Sequence, residues 1–196
     1  RTISGTLGQS IIRIHDEVIN RANTAAPHML LYHLNFGWPL ADEGADILWD
    51  GPWEFPGEKD DAKIFREGNN FRKCPPPMAA HNGRGEEVAF IDIIPDPSGR
   101  CTAGICNDKI NLAVAIRFNK KELPWLTNWQ HWGKGEYVTA LEPATNPPIG
   151  QATARAHNEL IFVEPGETRI YNLEMEVLDR EDNIKHLLQQ THYQSH

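Results

Sequence analysis

The feature that most limits what this chain can fold into is a strict alternation of large apolar side chains with small or polar ones. From Asn111 to Phe118, apolar side chains fall at every second position, as Leu112, Val114, Ile116 and Phe118. Successive side chains of an extended chain point to opposite faces, so this period of two predicts a strand with one buried face. Fifteen glycines and fourteen prolines are spread along the chain, as in proteins with many turns. The sequence therefore predicts an all-β fold.

Similar patterns along the chain predict further strands, a long loop and one short helix. The strands are expected near residues 2–7, 10–19, 27–36, 87–94, 101–106, 111–118, 136–142, 159–164 and 169–178. The long loop, residues 41–86, is expected to cover one end of the sheet, and the helix is expected at residues 184–190. A chain of 196 residues that is 40% apolar can bury one core, so residues 1–196 are expected to form a single domain.

One predicted strand brings a carboxylate to a surface of small side chains. Val138, Ala140 and Glu142 share a face, and Pro143 is expected to end the strand because it has no N–H. A glutamate at a strand end usually lies on a solvated rim. The small apolar neighbours leave a second interpretation open, in which a flat ligand lies on the sheet and reaches Glu142.

A second predicted strand carries a histidine at its centre. Leu31, His33 and Asn35 share one face, and Gly37 and Pro39 then indicate a turn. A histidine among leucines is most often a core residue with satisfied hydrogen bonds. The alternative is an imidazole used in proton transfer, because histidine ordinarily titrates near neutrality.

Three motifs, in order, resemble aldose 1-epimerases, the galactose mutarotase-like proteins. The run Leu-Tyr-His-Leu-Asn-Phe-Gly-Trp-Pro-Leu at 31–40 resembles their histidine strand, and Leu-Glu-Pro at 141–143 resembles the motif that carries their glutamate. Val-Glu-Pro-Gly-Glu-Thr at 163–168 resembles the turn before their final strand. The resemblance covers most of residues 10–178. It implies an antiparallel β-sandwich, the galactose mutarotase-like supersandwich, of which this chain is the C-terminal portion. The family's other site histidine and arginine would then lie in an upstream part of the protein.

The resemblance also implies a reaction and two catalytic residues. Sugar anomers would interconvert by acid–base ring opening and closure, with Glu142 as the base and His33 as the acid. Such proton transfers need groups that titrate within reach of neutral pH. Neither a cofactor nor a metal is expected.

Sugar binding calls for aromatic platforms and polar side chains near that pair. Core packing explains the tryptophans about as well, and for Asn35, His131 and Asn146 a structural role is the commoner one for polar residues near strand ends. The candidate substrate-binding residues are Asn35, Trp38, Trp129, His131, Trp132 and Asn146.

Two other functions stay open at this stage. The first is a carbohydrate-binding domain without catalytic activity, since a fold can persist without its chemistry. The second is a metal-dependent sugar isomerase. A zinc site is also conceivable, although the spacing does not match a usual zinc knuckle. Its ligands would be Cys74, His81, Cys101 and Cys106.

Composition bears on partners and location. A net charge of −8 without a basic stripe argues against nucleic acid and favours a small-molecule sugar as the partner. No apolar run approaches the length of a membrane-spanning helix. Three cysteines, an odd number, are typical of a reducing compartment, so a cytoplasmic location is expected.

Overall fold

This computed structural model describes residues 1–57 and 62–191, most of whose regular structure is β-strand. The strands are β1 Thr2–Gly5, β2 Ile11–Ile19, β3 Ala26–His28, β4 Leu34–Phe36, β5 Asp46–Leu48, β6 Trp53–Glu54, β7 Glu87–Ile91, β8 Arg100–Asn107, β9 Leu112–Asn119, β10 Trp125–Gly133, β11 Glu136–Ala144, β12 Ile161–Val163 and β13 Thr168–Leu178. The two α-helices are α1 Gln151–Ala156 and α2 Glu181–Gln190. Short 3-10 helices lie at Ala79–His81 and Asp108–Ile110.

The strands form two large antiparallel sheets that pack face to face. One sheet has six strands in the order β1-β2-β13-β9-β8-β5, and the other has five in the order β4-β11-β10-β7-β6. β3 pairs separately with β12. Side chains from the inner faces of both large sheets share one hydrophobic cluster. The predicted all-β antiparallel sandwich is therefore confirmed.

The two faces of β9 show why the six-stranded sheet is packed on both sides. Ile116 and Phe118 belong to the cluster between the sheets, as the alternation predicts. Ala113 and Ala115 face outward and pack against Leu187 of α2. Their small side chains let the helix lie close to the sheet. The predicted C-terminal helix is present and begins at Glu181, three residues before the expected start.

β10 is the long strand that the sequence did not predict. Its inward-facing residues Asn128 and Gln130 are polar, which hides the expected alternation, yet both are fully buried. Gln130 Nε2 donates to Asn128 Oδ1 at 2.9 Å, and Trp132 Nε1 donates to Gln130 Oε1 at 2.9 Å. Asn128 Nδ2 in turn donates to Thr139 Oγ1 at 3.2 Å. These hydrogen bonds satisfy the buried polar groups and so allow them inside the sandwich.

The segment predicted as a long loop is bound to the sandwich by a buried carboxylate. Residues 41–86 contain β5 and β6, and residues 58–61 lie outside the described residues. Glu87 accepts hydrogen bonds from the backbone N–H groups of Lys63, Ile64 and Phe65 at 2.7, 2.9 and 3.3 Å. Phe65 and Phe71 join the main hydrophobic cluster. Residues 63–71 of this segment therefore contribute to the hydrophobic core.

The expectation that Pro143 ends its strand is wrong, because β11 continues to Ala144. The proline interrupts the neighbouring strand instead. Tyr32 N donates to Pro143 O at 3.0 Å, but the proline has no N–H to return a hydrogen bond to Tyr32. The predicted strand 27–36 is divided into β3, which pairs with β12, and β4, which pairs with β11, and Leu31 between them forms a bridge with Ala144.

None of the helices in residues 1–57 and 62–191 has the length and apolar character that crossing a membrane requires.

We expect Glu87→Ala to lower the free energy of unfolding by about 2–4 kcal/mol, because it leaves buried N–H groups without an acceptor. Glu87→Gln keeps one acceptor oxygen, so its free energy of unfolding is expected to fall by less. Urea unfolding followed by circular dichroism measures both. The matched control, Glu43→Ala, removes an exposed glutamate and should stay within about 0.5 kcal/mol of the wild type. Equal stabilities for Glu87→Ala and the control would contradict this role.

Candidate functional site

The candidate site lies on the outer face of the five-stranded sheet. β10 and β11 pair over nine residues, with Thr127 opposite Glu142 and Trp129 opposite Ala140. β4 pairs with the other side of β11, with Asn35 opposite Ala140. Since residues opposite one another point to the same face, Glu142, Trp129 and Asn35 share this outer face.

His33 and Glu142 are in direct contact. Continuing the β4–β11 register by one residue beyond Leu34 opposite Leu141 places His33 opposite Glu142. His33 Nε2 lies 2.9 Å from Glu142 Oε1. The His33 side chain is 47% exposed, whereas the Glu142 side chain is 5% exposed. A solvent-accessible imidazole therefore covers a carboxyl group that is largely removed from water.

Burial changes the proton affinity of Glu142. It raises the pKa of this carboxyl group from 4.5 to about 7, and the negative charge of Glu86 acts in the same direction. A proton on His33 would favour the ionised carboxylate and oppose that shift. Glu142 can therefore both accept and donate a proton near neutral pH, as a general acid–base group must.

Trp129 and His131 lie beside this pair. The Trp129 ring meets the His33 ring edge-on, with centroids 5.7 Å apart, and stacks on the His131 ring at 5.8 Å. His131 Nε2 lies 3.2 Å from Glu136 Oε2, and its Nδ1 contacts the carbonyl oxygen of Gly85. Both ring nitrogens of His131 thus have protein partners, which fixes the ring against the tryptophan.

The structure places the remaining predicted substrate-binding residues elsewhere. Trp132 is fully buried on the inner face of β10, where its ring packs on Tyr137. Asn146 is buried beyond the end of β11 and donates from Nδ2 to the carbonyl oxygen of Glu159. Trp38 is 81% exposed and lines a cleft beside the β10–β11 turn. Six strand positions, about 20 Å, separate that turn from Glu142.

Of the candidate binding residues, Asn35, Trp129 and His131 are therefore the ones near the pair. Asn35 is exposed on the same face, two residues from His33. Its amide can reach a ligand that contacts the imidazole, since two residues of a strand span about 7 Å.

Glu86 joins the site although the sequence did not single it out. Its Oε2 accepts a hydrogen bond from Trp129 Nε1 at 2.8 Å. The adjacent Glu87 faces the interior. The pair Glu86-Glu87 comes just before the apolar run of β7, and the alternation there could have separated an outward glutamate from an inward one.

The residues of the conceivable zinc site are not assembled. Cys74, Cys101 and Cys106 are buried with free thiols, and burial raises the pKa of Cys101 to about 11. His81 Nδ1 accepts a hydrogen bond from Trp132 N at 3.1 Å. In the described ranges 1–57 and 62–191, no group of three or more His, Cys, Asp or Glu side chains could hold a metal ion.

A separate concave surface of about 490 Å³ lies on the outer face of the six-stranded sheet. Its arginines converge on one carboxylate: Arg13 and Arg100 contact Glu174 at 3.1 and 2.7 Å, and Arg117 lies 3.7 Å away. Arg117 also pairs with Glu176, so two carboxylates face these three guanidinium groups. Neither His33 nor Glu142 lines this surface, so we place the candidate site on the other sheet.

Solved structures similar to this one share its fold. A protein from Klebsiella pneumoniae, named as a candidate aldose 1-epimerase, matches with a TM-score of 0.83 and 22% identity over 94% of this chain and 47% of its own. A candidate aldose 1-epimerase from Escherichia coli matches with a TM-score of 0.58 and 14% identity, over 86% of this chain and 56% of its own. A galactose mutarotase-like protein from Lactobacillus casei matches with a TM-score of 0.57 and 18% identity, over 89% of this chain and 61% of its own.

These likenesses establish the galactose mutarotase-like fold, and the chain spans about half the length of the structures it matches. No curated protein matches the sequence. A family model described as a domain of unknown function, DUF4432, matches residues 1–177. The chain therefore belongs to the DUF4432 family.

Proposed function

We propose that this protein is an aldose 1-epimerase-like isomerase that interconverts the anomers of a sugar. The observation that carries the proposal is the contact of 2.9 Å between His33 Nε2 and Glu142 Oε1 on an outer sheet face. The fold, shared with proteins named as galactose mutarotase-like, supports it. This chain covers 47%, 56% and 61% of the three solved structures described above, so the activity of the whole protein is a proposal.

In the proposed reaction the sugar replaces the hydrogen bond between the two side chains. Glu142 accepts the proton of the anomeric hydroxyl group while His33 donates a proton to the ring oxygen. The bond between the anomeric carbon and the ring oxygen breaks, which leaves an aldehyde and a free hydroxyl group. After rotation about the adjacent carbon–carbon bond, the ring closes with the two roles reversed and yields the other anomer.

The surroundings of the pair fit a pyranose. Trp129 offers part of an aromatic surface beside His33, and the apolar face of a sugar ring stacks on such surfaces. Ala140 lies between Asn35 and Trp129 in the sheet and has a small side chain. A flat ring can therefore approach the sheet here, with Asn35 available to hydrogen-bond a hydroxyl group.

We expect Glu142→Gln to slow anomer interconversion by roughly 10²–10⁴-fold, because an amide cannot accept the hydroxyl proton. His33→Gln should slow it by a similar factor. Exchange between α and β anomers, measured by NMR on a panel of aldoses with the natural protein, reports the rate. Glu181→Gln is the matched control, since Glu181 lies on α2 and pairs with Lys185.

Two results would separate the alternatives. A wild-type protein that binds sugars without accelerating exchange would replace the proposal with a carbohydrate-binding domain. Unchanged exchange in Glu142→Gln would remove this carboxyl group from the mechanism.

Glu142 should also make stability depend on pH. Because its pKa rises from 4.5 unfolded to about 7 folded, the folded state binds this proton more tightly. The resulting stability is present below about pH 4.5 and is lost as the pH rises through about 7. The loss is at most about 3.5 kcal/mol, since one pKa unit corresponds to about 1.4 kcal/mol.

Glu142→Gln carries no such proton, so its free energy of unfolding relative to the wild type should increase from about pH 5 to about pH 8. Urea unfolding of both proteins across this range measures the difference. A difference that stays constant with pH would show that Glu142 titrates as an ordinary exposed carboxyl group.

A further inference from the structure

Glu86 is linked to the candidate catalytic pair through one side chain. Its Oε2 accepts the indole N–H of Trp129 at 2.8 Å. The indole ring meets the imidazole of His33 edge-on, at 5.7 Å between centroids and 61° between planes. The imidazole in turn lies 2.9 Å from Glu142. These three contacts form a continuous chain from Glu86 to the carboxyl group.

The indole has a second partner besides Glu86. His131 stacks on it at 5.8 Å with only 7° between the planes. His131 is itself fixed by the Gly85 carbonyl oxygen and by Glu136. The hydrogen bond to Glu86 then sets where the edge of the indole lies, because it fixes the one polar atom of the ring.

His33, by contrast, has little else to orient it. It lies one residue outside β4, next to the position where Pro143 removes a hydrogen bond from the ladder. Its side chain is 47% exposed. The described contacts of its ring are the Glu142 carboxyl group and the Trp129 indole. The position of the indole therefore decides which orientations the imidazole can take.

We propose that Glu86 is a positioning residue of this site, which holds Trp129 so that the His33 imidazole is directed at Glu142. This inference rests on the proposed function, because it assigns a part in the same proton transfers. A purely structural role, in which Glu86 only ties residues 83–86 to the sheet, makes different predictions for the variants below.

Glu86 also affects the pair through its charge. The groups beside Glu142 are His33 from the β4 side and uncharged Thr127 and Trp129 from β10, and the charge of Glu86, the residue before β7, also acts on it. The negative charge of Glu86 adds to burial in raising the pKa of Glu142. The acid limb of the pH–rate profile is the range in which the rate rises as Glu142 loses its proton. Removing the charge of Glu86 should therefore move this limb to lower pH.

Two substitutions separate the hydrogen bond from the charge. Glu86→Gln keeps an oxygen that can accept the indole N–H and removes the charge, whereas Glu86→Ala removes both. We expect Glu86→Ala to slow anomer exchange about tenfold at its optimal pH. Glu86→Gln should keep the wild-type rate within about twofold and shift only the acid limb.

Trp129→Phe completes the design, because it keeps an aromatic ring and the charge of Glu86 but removes the N–H donor. It should change the ¹⁵N signals of the His33 ring as Glu86→Ala does while leaving the acid limb in place. Its rate is not compared with that of Glu86→Ala, because Trp129 also belongs to the proposed sugar-binding surface. Glu54→Gln is the matched control. Glu54 lies in register on the same face, opposite Phe90, and three strand spacings of about 4.8 Å separate it from Glu142. That distance exceeds the screening length of about 10 Å at moderate salt.

NMR titration supplies a readout that does not depend on catalysis. The ¹³C signal of the Glu142 carboxyl group should report a lower pKa in Glu86→Gln and Glu86→Ala, and an unchanged one in Trp129→Phe and Glu54→Gln. The ¹⁵N signals of the His33 ring should change in Glu86→Ala and Trp129→Phe and stay near the wild type in Glu86→Gln.

The two proposals fail in distinguishable ways. If the wild-type protein does not accelerate anomer exchange, the proposed function falls and the titrations still decide the role of Glu86. If exchange is accelerated but Glu86→Ala leaves the rate and the His33 signals at wild-type values, the positioning role is overturned, whether or not the acid limb shifts. If only Glu86→Ala fails to fold, Glu86→Gln and Trp129→Phe still test the proposal. Glu86→Gln should shift the acid limb and keep the His33 signals, whereas Trp129→Phe should keep the acid limb and change the His33 signals.

Discussion

The pairing of β10 with β11 is the interaction on which the rest of the structure depends. Nine consecutive residue pairs fix which side chains face the other sheet and which face outward. Inward, Asn128 and Gln130 hydrogen-bond within a packed core. Outward, Trp129 and Glu142 are brought to one surface. A shift by a single residue would exchange the two faces, so the polar core and the candidate site are specified by the same register.

Much of the architecture could be predicted from period-two alternation, and the failures have physical causes. β9 was predicted because Ile116 and Phe118 alternate with small residues and charge. β10 was missed because two polar residues on its inner face, Asn128 and Gln130, interrupt the apolar alternation and are satisfied by hydrogen bonds. The effect of Pro143 was assigned to the wrong strand, since a missing N–H affects the neighbour that needed it as well as the strand that lacks it.

The site was partly accessible from sequence. The resemblance brought His33 and Glu142 together across 109 residues, which no local pattern could do, and the structure places their side chains in contact. Trp132 and Trp129 looked equivalent in sequence, but alternation along β10 sends one into the core and the other outward. Glu86 was overlooked because its significance comes from a hydrogen bond to Trp129, a residue 43 positions away.

The gap that Pro143 leaves in the ladder beside Tyr32 has a consequence for motion. β4 is the edge strand of the five-stranded sheet, and its ladder hydrogen bonds in that sheet are those to β11. Here the backbone next to His33 already lacks one of them, so a small hinge displacement of this segment costs fewer bonds than elsewhere in the sheet. A displacement of the His33 segment would therefore leave the pairing of β10 with β11 in place.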